Sequence, residues 1–339
     1  MRWSVFLKKN AGFFKIQTNT LVQAFSYGMA SSKKSIYSAL AANLLIAVTK
    51  FVAGMVSNSA AMIAEGVHSL VDTVNQLLLL LGLHRSKKKP DARHPFGYGK
   101  ELYFYSFIVS ILIFGLGGGV SIYQGINHII KPDVPGNPMW SYVVLCSSVL
   151  FEGTSFVISA KEFNKLRGDQ TWWQAITNSK DPSTFLVLFE DGAAVIGLFI
   201  VMICLFIGHR YHLNYLDGVA SLLVGLLLVG VSVILARESR SLLMGEGISQ
   251  QTKTRIAEMV EHDADVLKLM HILSTYQSPS EILLMLIIAF KPDLDTGQIN
   301  EAISRIRNLV KDEYGLIHFV IIQPDIYLDK INPDVQTYI

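Results

Sequence analysis

The sequence predicts a membrane protein of the α-helical class, with six transmembrane helices followed by a small α+β domain of ferredoxin-like kind and αββαβ order. Three observations predict this fold. Hydrophobic residues make up 51% of the 339 residues and charged residues 17%, and the mean hydropathy is +0.39. Six apolar segments have close to the ~20 residues that a helix needs to cross a bilayer. The stretch that follows them is polar and periodic.

The composition excludes several other classes of protein. A soluble domain carries about 25% charged residues, so the chain is not an ordinary cytosolic enzyme, a disordered protein or a disulfide-rich secreted domain. The formal net charge of +2 gives no case for a nucleic-acid binder. Cys146 and Cys204 lie far apart in apolar runs, which indicates neither a thiolate metal cluster nor a disulfide framework.

The six apolar segments are expected to be helices, because a helix satisfies its backbone polar groups within one segment. The alternation of polar and apolar residues that is typical of a membrane β-barrel is absent from them. The first is the shortest and is expected to begin near Ser35. The segments are Ser38–Met55, Ser59–Leu83, Leu102–Ile126, Tyr142–Ala160, Phe185–Ile207 and Tyr215–Ala236.

The placement of lysine and arginine predicts the orientation. Two connections are basic, the one between the second and third segments and the one between the fourth and fifth. By the positive-inside rule these connections lie on the cytoplasmic side, or on the matrix side in an organelle. With six spans, both termini lie on that same side. The basic residues are Arg85, Lys87, Lys88, Lys89 and Arg93, then Lys161, Lys165, Arg167 and Lys180.

Four regions are expected along the chain. Residues 1–35 form a cytoplasmic arm, which carries basic but no acidic residues and lacks the long apolar stretch of a cleaved signal. Residues 36–246 form the transmembrane domain, residues 247–325 a cytoplasmic dimerisation domain, and residues 326–339 a tail. A short organelle presequence is the alternative for the arm.

Hydrophobic periodicity predicts five elements in the cytoplasmic domain. Helices are expected at Thr252–His262 and Gln298–Asp312, and strands at Leu267–Tyr276, Ile282–Phe290 and Leu316–Ile322. A two-layer domain of this size is too small for a large catalytic pocket, but its exposed sheet can cover a partner. We therefore expect the domain to support dimerisation.

Ionisable residues in the second segment form the first candidate site, since such groups are costly in lipid and usually face the bundle interior. Spacings of three and four place Glu65, His68, Asp72 and Asn75 on one helical stripe. His68 and Asp72, one turn apart, can point at a common cation. An imidazole with a carboxylate suits zinc and its transition-metal neighbours. The alternative is a buried His–Asp hydrogen bond that holds helices together.

Acidic residues in the later segments add candidates. Glu190 and Asp191 are adjacent in the fifth, about 100° apart around a helix, so one is expected to ligate while the other bonds to a neighbouring helix. Glu152 in the fourth is a candidate ligand or proton relay, or the acceptor of a hydrogen bond from a serine or the backbone. Asp217 is expected to cap the sixth helix or to line the outer mouth.

The remaining histidines are weaker candidates. Asp91 and His94, three residues apart in the first basic connection, form either a metal site at the membrane surface or part of a solvated loop. His84 lies in the same connection. The others are expected at the membrane interface or spread over the soluble domain. They are His128, His209, His212, His262, His271 and His318.

Four stretches carry a resemblance to a known family, and together with the αββαβ order they cover nearly the whole chain. They are SNSAAMIAEGVHSLVD at Ser57–Asp72, KKKPDARHPFGYGKE at Lys87–Glu101, DPSTFLVLFEDGAAVIG at Asp181–Gly197 and DGVASLLVG at Asp217–Gly225. The chain resembles the cation diffusion facilitator family. The third stretch is most similar to the zinc transporter 9 branch of that family.

The resemblance implies a homodimeric antiporter that moves Zn²⁺ out of the cytoplasm in exchange for protons. Zn²⁺ is then a transported substrate, and no permanently bound cofactor is expected. Two ligands of the family's tetrahedral site fall on His68 and Asp72. Of the two ligands from the fifth span, one falls on Asp191 and the other on Val187, which cannot bind metal. Glu190 is the nearest substitute, then Glu152.

Two further positions depart from the family pattern. Asp91 and His94 match part of a loop site, but Tyr98 stands where another histidine often lies. Ile288 stands where some relatives have a metal-binding histidine. The cytoplasmic domain is therefore expected to dimerise without a two-metal cluster.

The candidate ligands suggest how a proton gradient drives the transport of the metal. His68, Asp72 and Asp191 together balance a divalent ion when the imidazole is neutral. A metal needs deprotonated ligands, so protons and metal compete for them. Histidine, with an unperturbed pKa near 6.5, titrates in the useful range. No Walker phosphate loop is present, and no ATP is required.

Several alternatives stay open. The first is an exporter of manganese, iron or cobalt, and the second is a transport-inactive member that acts as a regulatory membrane dimer. An intramembrane metalloprotease is disfavoured, because His68 is followed one turn later by an aspartate instead of the second histidine of HExxH. A bacterial inner membrane is favoured over a mitochondrial membrane because no long presequence is visible.

Overall fold

The computed structural model of the protein describes residues 33–132, 139–168 and 170–326. These residues form two compact units, 33–244 and 245–326. Apart from residues 33–35 and 326, the predicted arm and the predicted tail lie outside the described residues.

The first unit is a bundle of apolar helices, which confirms the predicted membrane α-helical class. Its described helices are α1 Lys33–Ser57, α2 Ala60–Ser86, α3 Glu101–Ile130, α4 Met139–Leu166, α5 Trp172–Asn178, α6 Pro182–Tyr211 and α7 Tyr215–Met244. By length and composition, α2, α3, α4, α6 and α7 can each cross a bilayer. Helix α1 has 25 residues and is apolar over Asn43–Ser57.

One short helix is absent from the sequence expectations. Helix α5 lies in the second basic connection, and its start is marked by a capping box in which Thr171 and Gln174 bond each other's backbone N–H groups. The pattern Thr-x-x-Gln is a sequence signature of the amino-terminal end of a helix. The basic connection is therefore partly ordered.

The amino-terminal end of α2 is held by a carboxylate from α7. Asp217 accepts hydrogen bonds from the hydroxyl of Ser59, the N-cap residue, and from the backbone N–H groups of Ala60 and Ala61. A carboxylate is stabilised there by the positive end of the helix dipole. The structure therefore corrects the expectation that Asp217 caps its own helix, because the N–H groups it satisfies belong to α2.

Glycines bring the backbones of α3 and α7 into contact. Helix α3 contains a π-helical stretch, Ile113–Gly119, and Gly125 lies in the α-helical part that follows this stretch. A Cβ added to Gly125 would lie 2.8 Å from the carbonyl oxygen of Gly218, and a Cβ added to Gly218 would lie 2.8 Å from that of Gly125. Small residues allow such approaches between membrane helices. Because Gly218 follows Asp217, this contact also fixes the carboxylate that caps α2.

The second unit confirms the predicted αββαβ order. Its elements are α8 Gln250–Glu261, β1 Val266–Ser278, β2 Glu281–Phe290, α9 Thr296–Glu313 and β3 Ile317–Asp325. The strands form one sheet in the order β1-β2-β3, with β1 antiparallel and β3 parallel to β2. Helix residues Ile256 and Ile306 and strand residues Leu284 and Ile288 are fully buried in its core. Ile288 is thus a packing residue.

Replacing Gly225 of α7 with alanine is expected to destabilise the bundle by about 1–3 kcal/mol, the range for overpacking. The new Cβ would lie 2.8 Å from the backbone N of Ile122 and 3.0 Å from the carbonyl oxygen of Gly118. Gly230 on the same helix is the matched control, since a Cβ there meets nothing within 4 Å. Thermal unfolding in detergent measures both variants, and equal melting temperatures would contradict the packing described.

An ion pair in the second unit predicts a pH-dependent stability. Arg305 donates to Asp263 at 2.8 and 2.7 Å, and these bonds hold the pKa of Asp263 below its ordinary value near 3.8. The stabilisation is present above that ordinary value and is lost as the pH falls through the lowered pKa. Arg305→Met should therefore weaken hydrogen-exchange protection of the sheet at neutral pH.

The same comparison at a pH below the lowered pKa of Asp263, corrected for intrinsic exchange rates, should show a much smaller difference from the unchanged protein. A difference of equal size at both pH values would rule out the ion pair as its source.

Candidate metal-binding site

The predicted stripe on α2 is present. Glu65, His68 and Asn75 are buried and Asp72 is half-buried, and α2 packs against α1, α3, α6 and α7. The stripe therefore faces the interior of the bundle, as the cost of charged groups in lipid requires.

His68 and Asp72 form the centre of the stripe. The Nδ1 atom of His68 lies 3.4 Å from Oδ1 of Asp72, with only 2% of the imidazole exposed. Within the described part of the chain, neither ring nitrogen of His68 has a hydrogen-bond partner. The alternative in which a His–Asp hydrogen bond merely joins helices does not describe this pair, because both residues belong to α2 and no such bond is made.

Glu190 brings α6 to the same stripe. Its side chain is buried, and its Oε1 accepts a hydrogen bond from Nδ2 of Asn75 at 2.9 Å. The carboxyl groups of Glu190 and Asp72 also lie within hydrogen-bonding reach of each other. One imidazole and two carboxyl groups from two helices thus lie together.

Asp191 points in a different direction from Glu190. Its Oδ2 accepts hydrogen bonds from Ser155 at 3.0 Å and from Ser159 at 2.7 Å, both on α4. This follows from the helical rotation of about 100° between adjacent residues. The aspartate is therefore engaged with α4 and not turned towards lipid, while the glutamate reaches the stripe of α2.

Lys50 is a buried cation that the sequence expectations omit. Its Nζ donates to Glu65 at 3.0 Å, to Ser69 at 2.9 Å and to Glu152 at 2.6 Å, and its side chain is fully buried. Glu152 is thus bonded to a lysine of α1 and not to a serine. A lysine inside an apolar segment could have been found by the same criterion that selected the acidic residues.

The unsatisfied polar atoms around His68 are acceptors, apart from the one N–H of a neutral imidazole. Among the described residues, hydrogen-bond partners are missing for both ring nitrogens of His68, for Oδ1 of Asp72 and of Asn75, for Oε1 of Glu65 and for Oε2 of Glu152. Each buried unsatisfied group costs about 1–3 kcal/mol. A cation satisfies several lone pairs at once, so the chemistry of these atoms fits a cation.

The cluster is not a closed coordination shell in the described conformation. Among the described residues, no three His, Cys, Asp or Glu side chains surround a common point closely enough to hold a metal ion. The His68–Asp72 pair and the Glu190 carboxyl instead lie side by side. These side chains would have to move closer together to bring three ligands onto one ion.

Asp91 and His94, the candidates in the first basic connection, stabilise the turn in which they lie. Asp91 accepts hydrogen bonds from the backbone N–H groups of Arg93 and His94 and from the hydroxyl of Tyr98 at 2.7 Å. The Tyr98 bond and the backbone bonds hold the pKa of the Asp91 carboxyl below its ordinary value. His94 Nδ1 lies 3.5 Å from Asp91 with both side chains about half exposed. The geometry is that of an ordered surface loop.

Other histidines meet at the end of the bundle where α2 begins. His128, His209 and His212 line a small cavity of about 70 Å³ together with Ser59 and Asp217. His128 Nδ1 lies 3.7 Å from the Asp217 carboxylate. Sequence spacing does not reveal this grouping, because His128 comes from α3, His209 from the end of α6 and His212 from the turn after it.

Membrane-length helices that enclose buried acids, an imidazole and unsatisfied acceptor atoms define a multi-pass membrane protein with a candidate intramembrane cation site. Comparison with known families then gives the particular family. The cation efflux transmembrane domain matches residues 36–244, more than half of the chain. The chain belongs to the cation efflux family, which confirms the resemblance found in the sequence.

Three relatives show the range of similar proteins. The mouse proton-coupled zinc antiporter SLC30A9, mitochondrial, is 33% identical over 257 residues, which are 75% of this chain and 45% of that protein. Metal tolerance protein C4 of Arabidopsis thaliana is 32% identical over 79% of this chain and 58% of its own length. The manganese efflux system protein MneP of Bacillus subtilis is 26% identical over 88% of this chain and 97% of its own length. The chain spans about half the length of the SLC30A9 proteins it matches.

Glu190 and Asp191 offer a matched pair of substitutions. With Zn²⁺ as the probe ion, Glu190→Gln is expected to weaken divalent-cation binding at this candidate site by about 100-fold or more, because changes to outer partners of a metal site alone cost about 10–100-fold. Asp191→Asn keeps an acceptor for Ser155 and Ser159 and should change the affinity much less. Isothermal titration of the purified protein measures both. A larger loss in the aspartate variant would assign the ligand to Asp191.

Proposed function

We propose that the chain is a secondary active transporter that exports a divalent metal cation from the cytoplasm, or from an organelle matrix, in exchange for protons through alternating access. Zn²⁺ is the favoured cargo. Membership of the cation efflux family supports metal efflux in general. The names of the mouse and Arabidopsis relatives, a zinc antiporter and a metal tolerance protein, support the same activity.

One observation carries the proposal: His68, Asp72 and Glu190 lie together, buried, with unsatisfied acceptor atoms, between helices long enough to cross a membrane. These residues are the proposed ligands. Asp191 and Glu152 remain candidates for a further ligand or for a proton relay. Asp191 stays among them because the family pattern places a ligand there.

Proton coupling follows from the kind of ligands. A proton and a metal ion use the same lone pairs of an imidazole or a carboxylate, so each displaces the other. Metal entering from one side therefore releases protons, and protons entering from the other side expel the metal. The exchange is driven by the proton gradient and needs no nucleotide.

Manganese is the second candidate cargo. A carboxylate-rich site with a single imidazole lies between the preferences of zinc and those of harder cations. MneP, which the match covers over 97% of its own length, is named for manganese efflux. The presence of Val187 in place of a fourth side-chain ligand weakens the case for a tetrahedral zinc shell.

The setting of the protein is proposed from charge and from its relatives. The basic connections support an orientation with both termini on the cytoplasmic or matrix side. A bacterial plasma membrane or a mitochondrial membrane is proposed, as the relatives include a mitochondrial protein and a Bacillus protein. The mouse relative is named an antiporter and the Bacillus relative an efflux system protein, and we propose that the chain is not an enzyme.

A homodimer is proposed, joined at least through the second unit. Leu267 and Leu273 of β1 and Ile321 of β3 are large apolar side chains that are 52%, 42% and 41% exposed in a single chain. A second copy covering this part of the sheet would remove them from water. No metal cluster is invoked there, because Ile288 is buried in the core.

Transport in proteoliposomes tests the proposal. His68→Ala or Asp72→Asn should abolish Zn²⁺ flux driven by a pH gradient, because each removes a ligand. His318→Ala, an exposed histidine of the second unit, is the control and should transport normally. If the unchanged protein moves no metal among Zn²⁺, Mn²⁺, Fe²⁺ and Co²⁺, the transport proposal fails and a regulatory membrane dimer takes its place.

A further inference from the structure

Lys50 is an unusual neighbour for a metal site, because its ammonium competes for the same carboxylates as a metal cation. The side chain is fully buried and comes from α1. Its Nζ donates to Oε2 of Glu65 at 3.0 Å, to Oγ of Ser69 at 2.9 Å and to Oε1 of Glu152 at 2.6 Å. An ammonium group has three N–H donors, so these bonds use all of them.

The partners of Lys50 lie beside the proposed metal ligands. Glu65 and Ser69 flank His68 on α2, and Glu152 comes from α4. The second oxygen of each carboxylate, Oε1 of Glu65 and Oε2 of Glu152, is buried and has no hydrogen-bond partner among the described residues. The carboxylates can therefore offer more coordination than the ammonium uses.

We propose that Glu65, Ser69 and Glu152 form a second cation site, whose built-in occupant is the ammonium of Lys50. Two carboxylates and a hydroxyl, with no nitrogen or sulfur, suit hard divalent cations such as Mn²⁺ or Mg²⁺. While Lys50 fills this site, the unit takes its divalent ion at the His68 site, where an imidazole favours zinc and its neighbours. The assignment of that cargo site rests on the proposed function; the second site stands on the contacts of Lys50.

The charges explain why the occupant matters. Without the ammonium, two buried carboxylates from different helices would face each other with no counter-ion. Such a pair either binds a cation from solution or becomes neutral by taking up a proton. A tethered cation keeps both carboxylates paired before any cargo arrives and cannot leave with the cargo.

The test replaces Lys50 with methionine, which keeps an unbranched apolar stem and removes the charge. Bound Mn²⁺ is counted in the purified full chain by electron paramagnetic resonance of the free ion. The K50M variant should bind about one more Mn²⁺ ion per chain than the unchanged protein, and Mn²⁺ should raise its melting temperature more. Lys131→Met, at an exposed lysine directly after α3, is the matched control and should bind as the unchanged protein does.

A triple variant, K50M/E65Q/E152Q, separates the site from a purely structural ion pair. It should fold and lose the additional Mn²⁺, because amides replace both carboxylates. A structural ion pair alone predicts a less stable K50M that gains no ion. The proposal is overturned if K50M binds no more Mn²⁺ than the control, or if K50M stays unfolded in Mn²⁺ while the triple variant folds.

The proposed function fails by a different result. If His68→Ala binds and transports Zn²⁺ as the unchanged protein does, the cargo site is wrong, whatever K50M binds. An additional Mn²⁺ ion in the K50M/H68A double variant would then still support the second site.

Discussion

Carboxyl groups buried between apolar helices are the constraint on which the rest of the molecule depends. Hydrocarbon does not solvate a charge, so each carboxylate needs a hydrogen-bond donor, a cation or a proton. The structure meets this need differently at each acid. Glu65 and Glu152 share an ammonium, Glu190 accepts from an amide, and Asp191 accepts from two hydroxyls. Asp72 is left with a buried oxygen that has no hydrogen-bond donor among the described residues.

This arrangement ties the site to the bundle as a whole. The ammonium comes from α1, the stripe from α2, and the acids that meet it from α4 and α6. Any change of charge at the stripe therefore acts on its hydrogen bonds to α1 and α6, and through Lys50 on the bond to Glu152 of α4. Helices α3 and α7, held together by glycines, add the fixed carboxylate that caps α2. Under the proposed function, an exchange of metal for protons at this stripe would act on contacts between helices, as alternating access requires.

The same physics explains where sequence patterns are reliable. Apolar length and basic connections predict membrane helices, because the thickness of the bilayer and the cost of charge are the same for any chain. Periodicity predicts the αββαβ order, since each element must bury one face. The cap of α5 can be predicted from the sequence because its residues are close together in the chain. The contact of Asp217 with α2 cannot, because the two lie more than a hundred residues apart.

From the amino acids alone follow the helical class, the positions of most elements, the family, and the fact that Glu65, His68, Asp72 and Asn75 share a stripe. These are consequences of composition and of the 3.6-residue period. Only the folded bundle decides that Glu190 and not Asp191 meets this stripe, and that Lys50 neutralises two of the acids. The rotation of each helix about its own axis is set by packing against its neighbours, and no repeat within one segment records it.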